Sequence, residues 1–136
     1  MLSFKCLTAL AIVVLTGCGR HSDLSLASVS GTVTWRGKAL DHGEVVFTPQ
    51  KGTRGPQAVG QINADGHFRM ETAGCAGAAI GKHLVTVHCR RQVTPQERAK
   101  LVIGESLIPN KYWKVNESTL RFEVKEGSNE YRLVLE

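Results

Sequence analysis

Short stretches in which apolar and polar residues alternate run through most of this chain, and they constrain the fold more than any other feature. In SVSGTVTW (28–35), every second residue from Val29 to Trp35 falls on one face, and serines and threonines fall on the other. Period-two alternation is typical of a β-strand with one buried face. The chain is therefore predicted to consist mainly of strands.

Further segments of this kind follow, and turn signals separate them. They are EVVFTP (44–49), AVGQI (58–62), HFRMET (67–72), KHLVTVHC (82–89), TLRFEV (119–124) and YRLVLE (131–136). The turn NADG (63–66) suits a tight hairpin, because Asn and Asp tolerate left-handed backbone and Gly adopts it freely. EGSN (126–129) is predicted to close a final hairpin. The pattern predicts an all-β fold, a seven-strand antiparallel β-sandwich.

One segment has a helical start signal. TPQERAKLV (94–102) begins with the capping residue Thr94, places Pro95 at the first helical position and carries Glu97 three residues after the cap. This is a capping box, which satisfies orphan backbone donors at a helix N-terminus. We expect one short helical turn there, inside a connection between strands.

The first quarter of the chain differs from the rest. An apolar run of ten residues (6–15), broken only by Thr8, follows a short start with one positive charge. Crossing a bilayer takes roughly 20 apolar residues, so the run is too short for a permanent anchor. It is typical of a secretory signal peptide over 1–17, with a polar tether over 18–27 and the sandwich over 28–136. The alternative is a buried helix of the folded domain.

The charge of the chain is modest and scattered. The full sequence carries a net charge of +5, and loss of residues 1–17 removes one basic residue and no acidic one, which leaves +4. Only Arg90 and Arg91 are adjacent basic residues. A nucleic-acid-binding protein is expected to gather its basic residues into a stripe. We therefore expect no nucleic-acid partner.

The end of the apolar run carries a recognisable motif. LTGC (15–18) resembles a bacterial lipobox, in which the cysteine after the cleaved bond carries lipid. The resemblance implies that Cys18 is lipidated and that the membrane is a partner through this lipid, on the periplasmic side of a bacterial cell envelope. By the sorting rule of some Gram-negative bacteria, Gly19 rather than Asp after the cysteine favours the outer membrane.

The remainder resembles small secreted proteins of planctomycete-type bacteria that carry a carboxypeptidase-regulatory-like or transthyretin-like domain. The matching stretches are VSGTVTWRGKALDHGEVVFTP, NADGHFRM, GKHLVTV, LIPNKYW and LRFEVKEGSNEYRLVL. The resemblance implies a prealbumin-like (Ig-like) sandwich and says little about activity, since fold alone does not carry function.

Two enzymatic groups share that architecture. Hydroxyisourate hydrolases end in Tyr-Arg-Gly-Ser, whereas here Tyr131 and Arg132 are followed by Leu133 and Val134. Intradiol dioxygenases bind iron through paired Tyr and His, and this chain has only Tyr112 and Tyr131 without a paired ligand motif. No nucleophile elbow of the Gly-x-Ser-x-Gly type occurs either. We expect no catalytic residues and no cofactor.

The histidines and cysteines are candidates for a metal site or a disulfide. His83 and His88 are five apart and fall on opposite faces of a strand. His42, Asp65 and His67 lie at turns, but no spacing requires them to share a metal, so no metal site is predicted. Cys75 and Cys89 could form a disulfide only if the strands that carry them belong to different sheets, since eight strand residues span about 26 Å. Whether they pair stays open.

The segment PNKYWK (109–114) is the main candidate for contact with a partner. Tyr112 and Trp113 are adjacent aromatics between Lys111 and Lys114, and such a group can stack on sugars or anchor a partner. The alternative is that one ring closes the open end of the sandwich and the other packs along its side.

The sequence therefore predicts a lipid-anchored envelope module that acts as a non-enzymatic binding or structural accessory, with an envelope protein or a glycan as partner. Two alternatives are a small hydrolase or metal-dependent enzyme on the same sandwich, and a carbohydrate-binding module. The oligomeric state and the ligand stay undetermined.

Overall fold

The computed structural model describes residues 24–136, so the predicted signal peptide and Cys18 lie outside the described residues. Within this range the chain forms eleven strands and two short helices. The strands are β1 (Leu26–Trp35), β2 (Lys38–Ala39), β3 (Glu44–Pro49), β4 (Ala58–Gln61), β5 (His67–Arg69), β6 (Glu71–Thr72), β7 (Cys75–Ala76), β8 (Ala78–Ala79), β9 (Gly81–His88), β10 (Arg121–Val124) and β11 (Ser128–Leu135). The helices are α1 (Pro95–Ala99) and α2 (Asn110–Trp113).

The strands form two sheets, and the predicted all-β sandwich is confirmed. The first sheet is built on β1, which pairs with β11 on one side and with β2, β5 and β8 on the other. The second sheet has the order β10-β9-β3-β4-β6-β7 and is antiparallel throughout. The strand count exceeds the predicted seven because HFRMET divides into β5 and β6, and because β2, β7 and β8 contribute two residues each.

The first strand begins two residues before the predicted boundary. Leu26 and Ala27, which were assigned to the tether, pair with Ala79 and Ala78 of β8. Ala27 is 6% exposed and Ala78 is fully buried. Small side chains let these two short segments lie close together, so the first strand begins at Leu26 rather than at Ser28.

The predicted final hairpin is wrong. β10 pairs with β9 in the second sheet, whereas β11 runs parallel to β1 in the first. The side chain of Asn129 holds this crossing between sheets: it accepts from the Lys125 amide (3.0 Å) and donates to the carbonyl oxygens of Lys125 (2.8 Å) and Ser28 (3.1 Å). Alternation specifies which face of a strand is buried but not which strand lies beside it.

Two local predictions are confirmed. In the NADG turn, the Asn63 side chain accepts from the amides of Asp65 (2.9 Å) and His67 (3.0 Å), and Gly66 has the left-handed φ of 82°. The turn connects β4 to β5, which lie in different sheets, so it is not a hairpin. α1 carries the predicted capping box, with both reciprocal bonds between Thr94 and Glu97 present. α2 was not predicted as a helix.

The core lies between the sheets and is centred on Phe47. Its ring lies 5.5 Å from the ring of His83, 6.0 Å from Tyr131 and 6.1 Å from Phe122, centroid to centroid. Other fully buried or nearly buried side chains complete it, among them Val29, Val33, Val45, Met70, Val85, Val87, Leu133 and Leu135. The predicted strand faces from 28–35 and from 131–136 are therefore the buried faces.

One glycine is required by close approach rather than by a turn. Gly31 lies in the middle of β1, where a Cβ atom would come within 2.0 Å of the Tyr131 carbonyl oxygen and 2.8 Å of the Phe68 ring. The carbonyl belongs to backbone of the adjacent strand, so it cannot move aside without disturbing the pairing.

We expect Gly31→Ala to lower the free energy of unfolding by about 1–3 kcal/mol, the usual cost of inserting an extra carbon into a packed site. Urea denaturation of both proteins measures the change. Thr32→Ala, at the next position of β1, is the matched control and should cost less. Equal stabilities of Gly31→Ala and wild type would contradict the close approach.

Candidate functional site

Outward-facing side chains of both sheets form a polar groove on one side of the sandwich. We call it the polar groove; it has a volume of about 700 Å³. Its main polar lining residues are Gln57, Gln61, His67, Arg69, Glu71 and Glu130. Cavities of roughly 300–1,000 Å³ are the usual size for small-ligand sites.

Strand register places the charges of this groove. Ser30 of β1 lies opposite Glu130 of β11 on one side and opposite Arg69 of β5 on the other. Neighbouring strands are about 4.8 Å apart, so Arg69 and Glu130 stand on either side of Ser30. Alternation then places Glu71 on the same exposed side as Arg69, while Met70 between them is buried.

These charged groups are not used inside the protein. Within residues 24–136, no ion pair involves Arg69, Glu71 or Glu130. The amides of Gln57 and Gln61 do have partners: they donate to Thr48 Oγ1 (3.0 Å) and Glu44 Oε2 (3.3 Å). The groove therefore offers one guanidinium donor together with carboxylate acceptors, which suits a ligand that both donates and accepts hydrogen bonds.

Sequence reasoning did not find the polar groove. The exposed face of HFRMET carries His67, Arg69 and Glu71. Alternation alone predicts only that such a face contacts solvent. Only the pairing of β5 with β1 brings Arg69 beside Ser30 and Glu130. Residues 69 and 130 are too far apart in sequence for any spacing rule to connect them.

Tyr112, an aromatic candidate predicted from the sequence, lies in the core. Tyr112 is 8% exposed, and its hydroxyl donates to the Glu136 carbonyl (3.0 Å) and accepts from the Glu136 amide (2.8 Å). Its ring meets Trp35 edge to face, with centroids 6.2 Å apart. Tyr112 therefore matches the alternative stated from the sequence, that one ring closes the open end of the sandwich, because α2 turns this side chain inward.

The other three residues predicted to contact a partner lie beside the Tyr112 ring: Lys111, Trp113 and Lys114. Trp113 is partly buried against the core, with the Arg90 guanidinium 5.4 Å and the Lys114 ammonium 5.5 Å from its ring centroid. Lys111 lies 4.9 Å from the Tyr112 ring centroid, and Lys114 pairs with Glu117 at 3.7 Å. The four residues are together as predicted, but their rings and cations contact one another. Binding of a partner there stays a prediction.

A second polar cluster joins Asp41, His42 and Cys89. His42 Nδ1 lies 2.6 Å from Asp41 Oδ1, and its Nε2 lies 2.7 Å from the Arg90 carbonyl oxygen and 3.6 Å from Cys89 Sγ. Both oxygens can only accept, so both ring nitrogens donate. The hydrogen bond to Asp41 raises the pKa of His42, and the same bond lowers the pKa of Asp41.

The arrangement superficially matches a Cys-His-Asp catalytic group, but its thiol is not available. Cys89 is 1% exposed, and burial raises its pKa, which disfavours the nucleophilic thiolate. The cluster instead fastens the 41–43 turn to the end of β9. Cys89 is also a free thiol, so the open question of a Cys75–Cys89 disulfide is answered: the two are not bonded to each other.

The described residues contain neither a metal-binding cluster nor a membrane-spanning helix. Within residues 24–136, no group of three or more His, Cys, Asp or Glu side chains is placed to hold a metal ion. In the same part of the chain, neither helix has the length and apolar character to cross a bilayer.

Comparison with known proteins returned no relatives. No family model matches the sequence, and neither the curated proteins nor the solved structures contain a significant match. The resemblance to transthyretin-like lipoproteins therefore stays a prediction.

The His42 cluster predicts a pH-dependent contribution to stability. A His whose folded pKa is raised stabilises the fold fully below its unfolded value, about 6.5, and loses this stabilisation as the pH rises through the folded pKa. We expect His42→Gln to cost most below pH 6.5, and the difference from wild type to shrink as the pH rises through the raised folded pKa of His42. Denaturant titrations across this range measure it.

Asp41→Asn is the matched variant, because it removes the carboxylate that holds the charge on His42. It should reproduce the pH-dependent part of the loss. A cost of His42→Gln that is the same at acidic and alkaline pH would show that the imidazolium contributes nothing.

Proposed function

We propose that this chain is a lipid-anchored β-sandwich module of a bacterial envelope, and that it binds a polar, neutral or zwitterionic ligand in the polar groove without chemically changing it. Two independent features support the proposal. LTGC supports the anchor, and the uncommitted charges of Arg69, Glu71 and Glu130 support binding.

The anchor follows from the N-terminal sequence. A lipobox cysteine carries a diacylglycerol, and the new N-terminus commonly carries a further acyl chain. One acyl chain holds a protein only marginally, and stable anchoring takes more than one. Lipid on Cys18 would therefore keep the sandwich on the periplasmic side of the envelope, in the outer membrane if Gly19 acts as a sorting signal.

The uncommitted charges of the groove are the observation that carries the binding proposal. Arg69 lines the groove together with two carboxylates, Glu71 and Glu130, and none of the three makes an ion pair within residues 24–136. Sugar hydroxyls both donate and accept, so a short oligosaccharide can satisfy Arg69, Glu71 and Glu130 together. The groove carries one positive and two negative side chains, and an anionic ligand would therefore be opposed by the excess of carboxylate.

The two alternatives receive less support. A hydrolase built on the Cys89–His42–Asp41 cluster would need an accessible thiol, and the Cys89 thiol is buried with a raised pKa. A carbohydrate site at Tyr112 and Trp113 would need two exposed ring faces, and Tyr112 is buried. The polar groove is therefore the preferred glycan site, with Trp113 as the comparison.

The anchor is tested in a bacterial host that processes lipoproteins. We expect the wild-type protein to fractionate with membranes and its N-terminal peptide to begin at an acylated Cys18. Cys18→Ala should lose the acyl mass and leave the lipoprotein fraction. Mass spectrometry of the extracted protein decides, and a mature N-terminus at another, unmodified residue would refute the anchor.

Binding is tested with an array of bacterial oligosaccharides that includes soluble peptidoglycan fragments. We expect Arg69→Gln to weaken binding by about tenfold or more, because loss of a charge-assisted hydrogen bond costs roughly 1.5–3 kcal/mol. Arg69 is exposed and makes no ion pair with the described residues 24–136, so the variant should stay folded.

Arg132→Gln is the matched control, since Arg132 is an exposed arginine of β11 outside the groove. It should leave binding unchanged. Binding that survives Arg69→Gln and disappears in Trp113→Ala would move the site to α2 and overturn the groove.

A further inference from the structure

We propose that the segment Leu101 to Ile103, with Leu107, inserts its side chains into the interface of an anionic lipid bilayer and so fixes the orientation of the sandwich. We call these four residues the apolar loop. The proposal rests on the proposed function in one respect, since it places a membrane next to the protein.

Exposed large apolar side chains concentrate in this loop. Among residues 24–136, six large hydrophobic side chains are strongly exposed, and four of them lie between positions 101 and 107. Leu101 is 87% and Ile103 is 77% exposed, and Val102 and Leu107 are about half as exposed as these two. Single exposed apolar residues are ordinary, whereas a group marks an interaction surface.

The backbone makes Leu101 more unusual. It follows the C-cap Lys100 of α1 and has a φ of 59°, the left-handed conformation that usually belongs to glycine at this position. The bonds that end α1 require this conformation: the Leu101 amide donates to Arg98 (3.0 Å) and the Val102 amide to Glu97 (2.9 Å). A leucine here is strained, and its exposed side chain gains nothing from packing inside the chain.

The charges around the apolar loop match a negatively charged surface. Arg98 and Lys100 lie three positions and one position before Leu101, are exposed and make no ion pair in the described part of the chain. The two nearby carboxylates, Glu97 and Glu105, are both paired with Arg91, at 3.2 Å and 2.9 Å. The loop therefore presents apolar side chains beside free cations, the combination that binds anionic bilayers.

The loop is also held in place before it meets any partner. Arg91 donates to the carboxylates of Glu97 and Glu105, and the Arg90 guanidinium donates to the Gly104 carbonyl at 3.1 Å. The backbone amide of Arg91 donates to the Glu105 carbonyl at 2.9 Å. Because these bonds tie both ends of the loop together, little ordering cost remains when it binds.

The position of the loop predicts how the protein lies. It follows the C-terminal end of β9, whereas the chain enters β1 beside β8, next to the start of β9. Eight residues of β9 separate these ends by about 26 Å. Residues 19–25 reach at most about 25 Å when extended. The lipid and the apolar loop can therefore touch one membrane together when the sandwich lies along its surface, or when the tether is almost fully extended along β9.

The test uses the mature chain from residue 18 with Cys18→Ser, so that the loop acts without the lipid. The sheets and core described above consist of residues in 24–136, which this protein retains, and it is expected to fold. Its partitioning is measured by co-sedimentation with vesicles of phosphatidylglycerol and phosphatidylethanolamine in equal parts, and with vesicles of phosphatidylcholine alone.

We expect tighter binding to the phosphatidylglycerol vesicles, and a loss of about tenfold or more in the double variant Leu101→Gly, Ile103→Ser. Leu101→Gly removes the backbone strain, so this variant should unfold at the same or a higher temperature than wild type. Val134→Ser is the matched control, because Val134 is 58% exposed on β11 and is not part of the apolar loop.

Equal partitioning of wild type and double variant, or equal binding to both vesicle types, would overturn the proposal. A wild-type dimer in sedimentation velocity that the double variant abolishes would also overturn it, in favour of a second copy as occupant. Acylation of Cys18 is measured separately, from the mass of the N-terminal peptide. The vesicle assay does not depend on that result.

Discussion

The first sheet depends on β1, because this one strand makes hydrogen bonds to four others. It pairs with β11 along one edge and with β8, β5 and β2 in turn along the other. Its inward residues Val29 and Val33 are fully buried, and Gly31 between them lets the Tyr131 backbone and the Phe68 ring come close. The outward side of the same strand, at Ser30, brings Arg69 and Glu130 together. The core and the polar groove are therefore both built on β1.

Polar groups in this protein fall into two kinds, those used by the fold and those left free. Arg91 holds Glu97 and Glu105, His42 holds the 41–43 turn to Arg90, and the Tyr112 hydroxyl holds the end of β11. All three stabilise the end of the sandwich at which β9 finishes. Arg69 with its neighbouring carboxylates, and the cations beside the apolar loop, remain available for other molecules. The polar groups left free are therefore the better candidates for binding other molecules.

Sequence reasoning succeeded where the information was local. The alternation of 28–35, the bonds of the NADG turn and the capping box of Thr94 each involve residues a few positions apart. It failed for the final hairpin, because β10 and β11 show the right buried faces but pair in different sheets. It left the place of Tyr112 open, since an aromatic residue between lysines looks the same in sequence whether it faces solvent or the core. The polar groove was not predictable, because its charges come from distant segments.

The sequence by itself determined the all-β class, the buried faces of β1 and β11, the start of α1 and the expectation of a lipidated Cys18. Only the tertiary structure decided which strands are neighbours, that β11 runs parallel to β1, and that the apolar side chains at 101–107 stay uncovered. The physical reason is that alternation and capping act over a few residues of backbone. Strand pairing and side-chain exposure depend instead on contacts between segments that the chain itself keeps far apart.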